Sequence, residues 1–143
     1  MKKILLLLLI LCGVPALNSC RDLPLHGEFS GHWQIMTIDY PDGTTVEPHG
    51  TRYYCFYRSV AQLTAPGFVR VTGNLACNGE RFTIQILNSK DSPEFMYPWG
   101  ITVPQGVTEL PADFVVGYTI NHLSEEKLVM TTDMGVVISC RKF

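Results

Sequence analysis

The 143-residue sequence predicts an all-β domain, a small antiparallel up-and-down β-barrel of seven to eight strands. Three observations predict it. Apolar and polar residues alternate over short runs, the spacing of a strand with one buried face. Clusters of Gly, Pro, Asn and Asp interrupt those runs, so that neighbouring strands are joined by short turns. No stretch carries a helical period of useful length. Closure of the sheet removes its exposed edges and favours the barrel. A two-sheet sandwich is the competing architecture, and only residues 88–113 are long enough for the crossover it needs.

The elements follow in chain order. Lys2 and Lys3 precede an unbroken apolar run from Ile4 to Leu11, followed by Gly13, Pro15 and Ala16. A membrane-spanning helix needs about 20 apolar residues. A basic start, a shorter apolar centre and small residues describe instead a secretory signal peptide that is removed. Leu17-Asn18-Ser19-Cys20 then resembles a bacterial lipobox, although Asn18 departs from the usual Ala or Ser. The resemblance implies a lipoprotein signal peptide over residues 1–19 and a lipidated Cys20 as the first mature residue. The alternative is an ordinary cut near Ala16 that leaves Cys20 a free thiol.

Residues 20–30 contain Pro24 and Gly27 without sustained periodicity and are expected to be a tether. His26, Glu28 and His32 match no tight metal spacing and are read as solvated, so no metal is expected. The barrel domain spans residues 31–143. Removing Lys2 and Lys3 leaves nine basic side chains against 13 acidic ones, scattered singly apart from Arg141-Lys142. That pattern has no electrostatic footprint for nucleic acid.

The first strand runs from His32 to Tyr40 and ends at the Pro41-Asp42-Gly43 turn. Arg52 to Thr64 reads as one strand, broken by Ala65-Pro66-Gly67. Phe68 to Cys77 follows, then Asn78-Gly79, a strong hairpin signal, and a strand from Arg81 to Leu87. Three more strands are expected, from Phe114 to Leu123, Lys127 to Thr132 and Val136 to Phe143, the last two joined at Asp133-Met134-Gly135. The inward set includes Tyr53, Tyr57, Leu63, Val69, Val71, Leu75, Phe82, Ile84, Ile86, Met130 and Ile138.

Gly31-His32-Trp33, which opens the first strand, resembles the Gly-x-Trp motif of lipocalins and their calycin relatives. In that family the Trp plugs one end of the barrel and an Arg from the last strand packs over its ring. The resemblance therefore implies a barrel-end plug of Gly31, Trp33 and Arg141, with Lys142 as the second candidate for the cation. Thr132-Asp133-Met134 matches part of the family's Thr-Asp-Tyr turn. The chain is shorter than typical secreted lipocalins and is similar to the small lipocalin-like lipoproteins common in Bacteroidota.

Ser92 to Pro111 is the one long connection, and its four prolines and two glycines exclude a central strand. It also carries Phe95, Met96, Tyr97 and Trp99, which are apolar enough either to cover an open end of the barrel or to contact a ligand or partner.

A three-residue loop at Ala65-Pro66-Gly67 would set Leu63 against Val69, Tyr57 against Leu75 and Cys55 against Cys77. Directly opposite Cα atoms are roughly 4.5–5.5 Å apart, which is within disulfide range. A Cys55–Cys77 bond is therefore expected in an exported protein, against two buried thiols as the alternative. Cys140 is expected as an inward thiol opposite Leu128.

Catalysis needs a nucleophile with a base, or paired carboxylates in unlike environments. Asp39, Asp42 and Glu47 surround one turn and Glu125-Glu126 another, where charges are ordinarily solvated. His49 and His122 read as surface or rim residues, and the cysteines lack any Cys-x-x-Cys unit. No catalytic residue, no cofactor and no enzymatic activity are expected.

Two readings remain: an outer-membrane lipoprotein, expected to face the periplasm and to be monomeric, that binds a small apolar ligand in its barrel, or one that packs its interior solid and holds a protein partner. An apolar cavity of about 300 Å³ or more opening near Trp99 separates them.

Overall fold

The computed structural model describes residues 25–68, 70–87 and 93–143. The leader, the lipobox with Cys20, and Val69 lie outside the described residues. A one-turn helix, α1 (Leu25–Glu28), leads into nine strands among the described residues. They are β1 (Gly31–Asp39), β2 (Thr45–Val46), β3 (Tyr53–Tyr57), β4 (Val60–Thr64), β5 (Val71–Asn78), β6 (Arg81–Ile86), β7 (Val115–Leu123), β8 (Lys127–Thr132) and β9 (Val137–Lys142). A 3₁₀ helix (Pro93–Trp99) lies in the long connection between β6 and β7.

Apart from the two-residue β2, which flanks the end of β1, each strand pairs antiparallel with its neighbour, and β1 also pairs with β9. The result is a closed eight-stranded antiparallel barrel of β1 and β3 to β9. Closure satisfies both edges of the sheet, as the short connections require. One end holds α1, the β3–β4 turn, the β7–β8 turn and the C-terminus. The 3₁₀ helix, Ala65-Pro66-Gly67 and the β8–β9 turn lie at the other.

Three expectations from the sequence change. The expected Arg52–Thr64 strand is a hairpin, because the chain reverses at Arg58-Ser59, with Tyr57 opposite Val60. Arg58 adopts a φ of 53° at the first central position of that turn, where Gly is usual. A two-residue turn with no Gly, Asn or Pro carries no signal. It also exchanges the faces of β3, since the side-chain period is two. Tyr54 and Phe56 point inward, while Tyr57 is 68% exposed and Tyr53 half-buried.

The second change is register. Leu63 pairs with Val71, and the β5–β6 turn is Gly79-Glu80, with Gly79 supplying the positive φ, so Cys77 faces Phe82. Cys55 instead lies between His32 and Gln62, and β4 separates it from β5. The expected Cys55–Cys77 disulfide is therefore corrected: both are free thiols two strands apart. Cys140 is buried opposite Leu128 as expected.

The third is the tether. Phe29 is buried, stacked on Phe56 at 4.2 Å and tilted against Phe82 at 5.0 Å, so the end of the expected tether packs into the domain. Bulges between Ile35 and Thr37 in β1, and between Ile120 and His122 in β7, shift each strand's alternation once. That shift brings Ile38 into the core beside Trp33 and Ile35.

Candidate functional site

The two ends of the barrel are closed by different devices. At the first, Gly31 takes a φ of 126°, and a Cβ there would approach the Lys142 Cε to 2.9 Å. Only glycine leaves that path open. Lys142 pairs with Trp33 across β1 and β9, and its Nζ stands 4.5 Å from the centre of the indole ring. The ammonium donates to the Glu28 carbonyl at 2.7 Å and to the Ser30 carbonyl, while Trp33 Nε1 donates to the Phe29 carbonyl at 2.7 Å. Partial desolvation lowers the Lys142 pKa, opposed by the nearby Glu28 carboxylate.

Arg141 does not cover the Trp. It is one position out of phase, lies opposite Gln34, and donates through Nε to Gln34 Oε1 at 2.6 Å. The plug is thus Gly31, Trp33 and Lys142, because alternation assigns only one of two adjacent cations to the inner side.

At the opposite end the long connection folds back over the barrel mouth. Met96, Trp99 and Ile101 are 1%, 0% and 0% exposed, and Leu110 is buried behind them. Tyr97 on the same 3₁₀ helix turns outward at 46% exposure. The side chain of Phe95 lies outside the described residues. Gly100, with a φ of 75°, lets the main chain pass close against Ile38 and Ile138, where a Cβ would come within 3.0 Å of Ile38.

Side chains of the barrel take three successive carbonyls of this cover. Tyr40 donates to the Tyr97 carbonyl at 3.5 Å, Arg52 Nη1 to the Pro98 carbonyl at 2.8 Å, and the Tyr54 hydroxyl to the Trp99 carbonyl at 2.7 Å. Trp99 Nε1 in turn donates to the Thr64 carbonyl at 3.2 Å. Because a carbonyl only accepts, Tyr54 spends its proton there, and the Tyr118 hydroxyl, 3.1 Å away, donates to the Tyr54 oxygen. Burial pushes the pKa of both phenols up, and pushes up the nearby Cys140 thiol as well.

The core between the two ends is filled by large side chains. Phe82 and Tyr118 stack at 4.6 Å, and Tyr54, Phe56 and Ile84 are fully buried around them. Surface pockets formed by described residues include one of about 340 Å³ between Gly50, Thr51, Tyr53 and Thr64 to Pro66, and one of about 220 Å³ beside Cys77, Arg81 and Phe82. Another of about 410 Å³ is lined by Glu28, Gly79, Glu80 and residues 120–123, and one of about 210 Å³ lies beside Phe114, Val116 and Met134. None of these pockets is lined by Trp99, so the cavity expected to open near it for a ligand is not found among the described residues, where Met96 and Trp99 fill the mouth instead.

Of the residues singled out in the sequence, the structure brings Gly31 and Trp33 together, and Met96 and Trp99 together at the other end. It separates Cys55 from Cys77 and turns Tyr97 outward. Sequence reasoning missed Tyr40, Arg52, Tyr54 and Tyr118. Tyr54 was legible only to a reader who saw a turn in Arg58-Ser59.

A family model for the lipocalin-like domain matches residues 14–143, nearly all of the chain. This chain belongs to the lipocalin-like family. Among solved structures, the lipocalin-like chain is similar to a lipocalin-like protein from Bacteroides uniformis, at 21% identity and a TM-score of 0.64 over 82% of this chain and 100% of the other. It is also similar to an uncharacterized protein from Bacteroides eggerthii, at 14% identity and a TM-score of 0.62 over 80% of this chain and 98% of the other. At those identities the likeness concerns the fold. No functionally curated protein matches the chain. A lipocalin-like barrel is, in general, a fold that binds ligands rather than one that catalyses.

Proposed function

We propose that this lipocalin-like protein is a lipid-anchored envelope barrel that binds a small apolar ligand at the mouth now filled by residues 96–101. The observation that carries this reading is the burial of Met96, Trp99 and Ile101, delivered by a connection rather than by the barrel wall. Such an occupant can leave without breaking the strand ladder, and the space it leaves is lined by apolar and aromatic side chains. Long connections are uncommon in compact domains and are usually either functional or disordered, and the packing of this one sets it apart from a disordered linker.

The anchor is Cys20, in the outer membrane and facing the periplasm, and the protein acts as a monomer. Phe29, nine residues after Cys20, is buried beside the Trp33–Lys142 plug. The plugged end then lies toward the membrane and the covered mouth away from it. Intact-mass measurement of the membrane-associated protein tests the anchor: acyl mass on Cys20 is expected, and its absence removes this part of the reading. Titration with N-phenyl-1-naphthylamine, an uncharged apolar fluorophore, tests the site. Saturable binding that Trp99→Phe alters supports it, and a flat titration overturns it.

A second reading is a role in holding a protein partner. Phe68 is 44% exposed and packs edge-on at 6.3 Å from the Trp99 ring, so with Tyr97 it places two exposed aromatics on the same rim.

A further inference from the structure

We infer that the plugged end of the barrel docks on a phospholipid surface through Tyr57 and Phe143, two aromatic side chains beside the entering chain. This rests on the anchor at Cys20 and names the face that the anchored domain lays against the bilayer. Phe143 and Tyr57 are, at 76% and 68%, the most exposed large hydrophobic side chains among the described residues. Both stand at the plugged end, and alternation turns both outward. Tyr57 follows the buried Phe56, and Phe143 follows Lys142, whose ammonium covers Trp33.

The entering chain is held between the same two strand ends. Phe29 stacks on Phe56, the neighbour of Tyr57, and the Glu28 and Ser30 carbonyls accept from Lys142, the neighbour of Phe143. Cys20 precedes Leu25, the first residue of α1, by five positions. Five extended residues reach at most roughly 18 Å. A lipidated Cys20 therefore keeps this end of the barrel within that distance of the headgroups, with the two exposed rings on either side of the point of entry.

The patch suits an interface between water and hydrocarbon. Tyr53 meets the Phe143 ring edge-on at 5.4 Å, and the exposed Val60 pairs with Tyr57, so apolar surface continues along the outer wall. A phenol enters such a region with its hydroxyl still wet. Arg58, 5.7 Å from the Tyr57 ring, has a stem long enough to keep its charge among the headgroups. Net charge does not select the surface. At this end Arg58, Lys127, Arg141 and Lys142 are matched by as many glutamates, on α1 and on the β5–β6 and β7–β8 turns. The acyl chains retain the protein and the rings set its orientation, because tethering makes even weak contacts effective. Docked in this way, the barrel holds its covered mouth away from the bilayer.

The experiment places the full-length protein, purified with its anchor, in vesicles of phosphatidylcholine brominated on the acyl chains. Tryptophan quenching is read for Tyr57→Trp, Phe143→Trp and Met134→Trp, and Met134 is exposed in the β8–β9 turn at the other end. The wild-type protein, whose Trp33 and Trp99 are buried, sets the baseline. Quenching of Tyr57→Trp and Phe143→Trp is expected to exceed that of Met134→Trp by about threefold or more, and adding Phe143→Ser should weaken it at Tyr57→Trp about threefold. Anionic phosphatidylglycerol should change these values by less than about twofold. Equal quenching at all three positions, in protein that carries acyl mass and floats with the vesicles, overturns the docking and leaves the anchor standing. Quenching that appears only with phosphatidylglycerol overturns the aromatic contact as its cause. Protein that carries no acyl mass and does not float overturns anchor and docking together.

Discussion

Lys142 Nζ lies 4.5 Å above the Trp33 ring and donates to two carbonyls of the segment that precedes β1. One side chain from the last strand therefore holds the first strand, the first aromatic of the core and the entering chain. A cation over an indole contributes about 0.5–2 kcal/mol, according to its desolvation. The two charge-assisted hydrogen bonds add to this, and the Lys stem covers the ring edge as well.

Replacing Lys142 by Met keeps the stem and removes the charge. Thermal unfolding should show a loss of about 1–2 kcal/mol. Arg141→Met, which leaves the ring untouched, should cost less than Lys142→Met. The reverse ranking would place the plug's cation at Arg141 after all.

Arg58 occupies a left-handed conformation, with a φ of 53°, at the β3–β4 turn. Its one aromatic contact, 5.7 Å from the Tyr57 ring, is on the exposed surface. Arg58→Gly should therefore stabilise the protein by about 0.5–1 kcal/mol, as relief of backbone strain outweighs the entropy of glycine. A lowered melting temperature in this variant would contradict the turn geometry.

The thiols should differ in reactivity. Cys77 is exposed, Cys55 half-buried and Cys140 buried, and burial raises the pKa of all three. A chromogenic disulfide reagent at neutral pH should modify Cys77 first, Cys55 more slowly and Cys140 only after denaturation. Non-reducing peptide mapping should find no Cys55–Cys77 bond.

Stability should fall in alkali. Tyr54, Tyr118 and Cys140 are held protonated in the folded state by burial, above ordinary values of 10.0 for the phenols and 9.0 for the thiol. The folded pKa values are raised, so the unfolded chain releases protons that the native chain keeps. Stability is then level below the thiol's ordinary value and declines as pH rises past it. Each group adds a slope of up to about 1.4 kcal/mol per pH unit. Denaturant midpoints across this range should show the decline, and Tyr118→Phe should make it shallower above pH 10.0.

The strand order, the antiparallel meander and the closed barrel were legible in the sequence, because period-two alternation and clustered turn residues are local properties. Trp33 could be placed at a barrel end from three residues, and the burial of Cys140 from its strand's alternation alone. Tertiary structure decided the rest wherever a single residue changes phase. The Arg58-Ser59 turn and the bulges in β1 and β7 each exchange the two faces of a strand; neither the turn nor the β1 bulge at Met36 is marked by Gly, Pro or Asn, and the β7 bulge falls at Asn121 inside an otherwise regular strand pattern. Hence Tyr54 rather than Tyr53 faces the interior, Cys55 and Cys77 never meet, and Lys142 rather than Arg141 reaches Trp33. The prolines of the long connection declared that it is no strand. Only the closed barrel, with a mouth wide enough for Trp99, turned that ring inward and left Tyr97 outside, because what buries Trp99 is the wall of eight strands and not its neighbours in the chain.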